Sequence, residues 1–117
     1  MYDGELIHYT KKDMANELVV WEAVKEVSSA VNSLVTTYRQ THLVNKTQKQ
    51  ALNIRIKEYL ALERGRAIGE VSRNNVREIA KTMELINSMN LEGAALAMAM
   101  ETLEEQHRQL KRLLEEC

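Results

Sequence analysis

Not one of the 117 residues is proline. Average usage would place about 6 in a chain of this length. Proline breaks helix interiors because it lacks an N–H and clashes with the preceding turn. A chain without it can be helical almost end to end, and it has no proline-rich linker or cis-proline turn. Hydrophobic periodicity fills in the rest. Val20, Val24, Val27, Val31, Leu34 and Tyr38 step by four and three residues in alternation, as in a heptad seam. Leu96, Met100, Leu103, His107, Leu110, Leu114 and Cys117 repeat the pattern near the end of the chain, and Val76, Ile79, Met83 and Ile86 repeat it in the middle. Phe is absent, and the aromatics are Trp21 and four tyrosines. Val, Leu, Ile, Met and Ala must therefore build the core, which suits thin helix–helix seams. Met14, Met83, Met89, Met98 and Met100 suit adaptable packing or a partner-binding groove, core packing being the commoner of the two.

The boundaries follow from capping chemistry. Thr10 with Asp13 reads as the start of the first helix, with Tyr9 and Met14 placed for a hydrophobic staple and residues 1–9 as a lead-in. Residues 41–46 form a first turn, and Asn45 with Gln48 caps the second helix. That helix either runs for about 40 residues, unbroken or merely kinked, or breaks near residues 69–75, where Asn75 and Glu78 offer a new cap. Gly65 and Gly69 each cost a helix interior about 1 kcal/mol relative to Ala. Residues 87–90 form a second turn, with Asn90 as cap of the last helix. The expectation is a single all-α domain spanning residues 1–117, an elongated antiparallel bundle of three long helices. Three such rods leave apolar surface uncovered, so a homodimer or higher oligomer is expected.

Net charge is −1, which excludes a whole-chain field that draws nucleic acid or membrane. The distribution is uneven: residues 46–81 carry a balance of +5, between ends of −2 and −4. A basic middle fits either a nucleic-acid face or electrostatic pairing between helices. Cys117 is the only cysteine, so no intramolecular disulfide forms, which fits a reducing cytoplasm. No apolar run reaches membrane-span length, and the first residues lack the order of a signal peptide. A cytoplasmic protein, bacterial or phage-like in character, is expected.

Little in the chain speaks for chemistry. Glu104 and His107 share a helix face at the spacing used in di-iron bundles, but only once. His8 and His42 lack ligand-spaced partners, and there is no phosphate loop or nucleophile elbow. The chain is read as non-enzymatic, with no metal and no cofactor. Its expected function is that of a small regulatory or adaptor protein that self-associates and binds a macromolecular partner. The residues expected to carry this are the small-residue face around Gly65 and Gly69 and the Ala- and Met-rich start of the last helix, Ala94, Ala95 and Met98.

Two short motifs suggest alternatives. Val71-Ser72-Arg73-Asn74-Asn75-Val76-Arg77-Glu78-Ile79 resembles the turn and recognition-helix start of bacterial helix-turn-helix regulators, although Glu70 stands where such motifs carry glycine. The resemblance implies DNA contacts by Arg73, Asn74 and Arg77, helped by Arg64 and Arg66. Ser88-Met89-Asn90-Leu91-Glu92-Gly93 is similar to the [Ser/Thr]-x-x-x-Glu-[Gly/Asn] motif of antitoxins that inhibit Fic-type AMP-transferases. That resemblance implies that Glu92, supported by Ser88 and followed by Gly93, enters the nucleotide pocket of a partner enzyme. In that family the motif lies on a helix.

Overall fold

The heptad seams all become helices, but they close a different bundle from the one expected. The structure, a computed structural model, describes residues 2–62 and 67–115, with side-chain surroundings for residues 19–62 and 73–115. Among the described residues there are four helices and no strand: α1 (Tyr2–Thr41), α2 (Lys46–Leu62), α3 (Ala67–Ser88) and α4 (Gly93–Glu115). The expectation of three long helices is therefore corrected. The long middle helix is two helices, and the division falls before Ala67. Residues 69–75, where a break was expected, lie inside α3.

Cross-helix bonds fix the arrangement. Gln48 Nε2 donates to Ser33 Oγ at 2.7 Å, and Arg55 Nη1 lies 3.3 Å from Glu26 Oε2. Seven residues forward on α2 match seven backward on α1, so the two are antiparallel in register. On the other side of α1, Ser28 Oγ lies 2.7 Å from His107 Nε2 of α4. Thr82 Oγ1 of α3 donates to Gln106 Oε1 of α4 at 2.9 Å. Ser28, Gln106 and Thr82 therefore stand at about one height, and the α1–α2 register puts Asn53 of α2 at that height too. In one continuous helix Asn53 and Thr82 would be about 44 Å apart. The chain must instead reverse between α2 and α3. The helices run up, down, up and down around a square, each beside the next, with α4 closing on α1 and α1 and α3 on the diagonal.

Burial explains why folding back wins. In a straight 43-residue helix the Val76, Ile79, Met83 and Ile86 seam would run out beyond the core-facing half of α1. Reversal brings it into one apolar cluster with Val24, Val27, Val31 and Leu34 of α1, Leu52, Ile56 and Tyr59 of α2, and Leu96, Met100, Leu103 and Leu110 of α4. Each fully buried side chain contributes roughly 1.5–3 kcal/mol, far more than the loss of a few helical hydrogen bonds at a turn. This closure also removes the reason given for a dimer, since the seams are satisfied within one chain.

α1 departs from expectation at its start. It runs from Tyr2 and passes through Thr10, so the helix does not begin there. The proposed staple of Tyr9 and Met14 lies outside the described side chains. At about 60 Å α1 matches the 63 Å long axis of the molecule. By the α1–α2 register its first 17 or so residues extend past the end of α2.

The turns are built largely as capping chemistry requires. α1 ends with His42 in the left-handed region (φ +59°), its N–H donating to the Tyr38 carbonyl at 2.6 Å. Asn45 caps α2 as expected: its Oδ1 accepts the Gln48 N–H at 3.2 Å. The Gln48 side chain does not return to Asn45; it crosses to Ser33 instead. Between α3 and α4 Asn90 (φ +48°) is not the cap of the last helix. It makes the left-handed step that stops α3, and the first bond of α4 runs from the Leu96 N–H to the Glu92 carbonyl. Gly93 (φ +57°) turns the chain into α4.

Candidate functional site

The inward face of α4 is defined by Leu96, Met100, Leu103, His107 and Leu110. Met98, half a turn away, points outward and is 69% exposed. Ala94 lies one turn before it and Ala95 three residues before it, and both are exposed. Ala95 lies on the same stripe as Gln106, three turns further on, which meets Thr82 of α3. Next to Thr82 on the α3 surface is Leu85, 51% exposed, and Met89 in the turn is 64% exposed. Leu85, Met89, Ala95 and Met98 thus line the outer α3–α4 groove within two helical turns of the reversal. Glu92 and Glu101, in the same stretch, are exposed and make no ion pair among the described residues.

Three of the residues expected to bind a partner, Ala94, Ala95 and Met98, are therefore brought to one surface. Gly65 lies outside the described residues. Gly69 falls within α3, with surroundings outside the described side chains. Sequence reading missed Leu85 and favoured core packing over a partner groove for Met89. The methionines divide: Met83 and Met100 are buried, while Met89 and Met98 are exposed. The signal was present in the spacing, because Leu85 falls between the seam positions Met83 and Ile86 and Met98 between Leu96 and Met100.

The two motif resemblances meet different geometry. Val71 to Ile79 lies wholly inside α3, so no turn precedes a recognition helix. Arg73 is half-buried, Asn74 and Arg77 are exposed, and Arg64 and Arg66 lie outside the described residues. In the second motif Ser88 ends α3, Met89 and Asn90 form the turn, and Gly93 begins α4 with positive φ. Glu92 is exposed but sits on a connection rather than on a helix, unlike the glutamate of the Fic-inhibiting family.

The Glu104–His107 pair is engaged in packing. Glu104 forms an ion pair with Arg39 of α1. His107, only 9% exposed, joins Ser28. Burial, reinforced by the nearby Lys111 cation, lowers the His107 pKa below 6.5, while Ser28 and Glu104 oppose the shift. Among the described residues no three His, Cys, Asp or Glu side chains converge as a metal site. No described helix is long and apolar enough to cross a membrane. Comparison with known protein families, with characterised proteins and with solved structures finds no match.

Proposed function

We propose that the chain is a small non-enzymatic adaptor or regulatory protein that binds a macromolecular partner through the outer α3–α4 groove. The observation that carries this reading is the exposure of Leu85, Met89 and Met98 together on a bundle whose seams are otherwise satisfied internally. Clustered exposed apolar side chains mark binding sites more often than scattered ones do, and methionine adapts to varied partners. Glu92 and Glu101 beside the groove favour an amphipathic helix with basic flanks, laid helix in groove.

The test is a photo-crosslinking amino acid placed at Met98, with the same probe at Gln109 on the outer face of α4 as control, in cells of the source organism. A discrete adduct at position 98 that is lost in Leu85→Glu supports the reading. An adduct of twice the chain mass identifies the partner as a second copy, the expected self-association. Equal labelling at both positions, or none at 98, overturns it.

A further inference from the structure

A second surface, apart from the Leu85–Met98 groove, has a different chemistry. On α2 the α1-facing edge is marked by Gln48 and Arg55, which bond to Ser33 and Glu26. The opposite edge carries Lys46, Lys49, Asn53 and Lys57, at intervals of three or four residues. On α3 Thr82 marks the α4-facing edge. Arg73 and Arg77, one turn apart, lie on the edge turned toward α2. Because the chain reverses between Leu62 and Ala67 and Thr82 stands level with Asn53, Arg77 lies about level with Lys57, and Arg73 about one turn further along, level with Leu62. The two stripes line one groove.

Among the described residues, five cations on this face make no ion pair. Lys25, Arg39, Arg55, Lys81 and Arg108 each hold one, whereas Lys46, Lys49, Lys57, Arg73 and Arg77 make no ion pair among the described residues. Arg73 Nε is also shielded from water with no hydrogen-bond partner. Among the described residues Glu84 is the one unpaired acid on this side, further along the α3 stripe.

We infer that the α2–α3 groove binds the phosphate backbone of a nucleic-acid duplex without reading its sequence. Positively charged ridges that track phosphates supply affinity, and base-edge contacts supply specificity. The cations here line a groove between two helices, with no helix end presented for insertion among bases. Single strands are held largely by stacking on exposed aromatics. Tyr59 is the only aromatic residue from 46 to 88, and it is buried. A duplex is the polyanion that needs charge alone. The net charge of −1 means that any such binding comes from this face and not from the chain as a whole.

The experiment is fluorescence anisotropy of the full chain with labelled 20-base-pair DNA and RNA duplexes of unrelated sequence, titrated between 50 and 200 mM salt. Five phosphate contacts predict a log–log salt slope of about −4.5, a loss of about 500-fold over that range. Affinities for unrelated sequences should agree within about threefold, since each discriminating base contact would add more. Lys57→Glu/Arg77→Glu should abolish binding at 50 mM salt, and the milder Lys57→Ala/Arg77→Ala should flatten the slope by about 2. Lys111→Glu/Arg112→Glu on α4 should change neither. Circular dichroism confirms that each variant is folded. The inference is overturned if the wild-type chain does not bind at 50 mM salt, or if the α4 variant loses as much as the α2–α3 variant. Displacement of the duplex by polyglutamate or phosphatidylserine vesicles at equal charge would also overturn it. A failed crosslink at Met98 leaves this result untouched, because the two surfaces are separate.

Discussion

Ser28→Ala should destabilise the fold by about 1–3 kcal/mol, although it removes a single oxygen. Ser28 Oγ lies 2.7 Å from His107 Nε2, and the imidazole is almost wholly removed from water between α1 and α4. Deleting the hydroxyl leaves a buried ring nitrogen without its partner, and an orphaned buried polar group costs more than the bond was worth. Replacing both partners with apolar groups removes that cost. Ser28→Ala/His107→Leu should therefore return to within about 1 kcal/mol of wild type. The assay is urea denaturation of the four members of this cycle at pH 8, where His107 is neutral in both folded and unfolded chains. Equal losses in Ser28→Ala and in the double variant would refute the reasoning, as would a loss below about 0.3 kcal/mol in Ser28→Ala. The same cycle tests pH dependence. Burial lowers the folded pKa of His107 below 6.5, so below pH 6.5 the unfolded chain binds more protons than the folded one. Stability from this group is complete above pH 6.5 and falls as the pH drops toward the folded pKa. The difference in stability between wild type and His107→Leu should shift against wild type from pH 8 to pH 5. No shift would contradict the burial of the imidazole.

Other expectations follow from the same geometry. Leu103→Ala, at a fully buried position, should cost about 2–5 kcal/mol, whereas Met98→Ala, on the outer face, should leave the denaturation midpoint unchanged. Gly93→Ala should cost about 1 kcal/mol through its φ of +57° alone, because an added Cβ meets nothing within 4 Å; a cost above about 3 kcal/mol would point to a steric clash instead. Asn45→Ala should lose about 1 kcal/mol as the α2 cap goes, read by thermal melting followed by circular dichroism.

The seams were legible because burial and period coincide. Val24, Val27, Val31 and Leu34, and likewise Leu96, Met100, Leu103, His107 and Leu110, are inward as their spacing required. Asn45 was legible because its cap is local. Thr10 and Asn90 misled for a shared reason. A capping residue only offers to satisfy a free N–H, and at Thr10 the extended helix already satisfies its own. At Asn90 a left-handed backbone stops α3 before a cap can form. The division of the middle helix was misplaced because Asn75 and Glu78 advertise a start, while the actual reversal is driven by long-range burial of the Val76–Ile86 seam, which no local pattern encodes. The same nonlocal term hid the candidate groove. Leu85 and Met98 come to one side of the bundle only once α3 and α4 pack, and the basic stripes of α2 and α3 share a face only once the chain reverses.

That reversal is the central claim, and one distance tests it. Spin labels at Lys46 and Lys81, with Cys117 replaced by Ser, report on the two ends of the middle segment by double electron–electron resonance. Adjacent antiparallel helices with axes 8–10 Å apart place the labels about 20 Å apart. A single unbroken helix places them about 52 Å apart. A distance distribution centred near 20 Å is the expected result, and one centred near 50 Å would contradict the four-helix bundle.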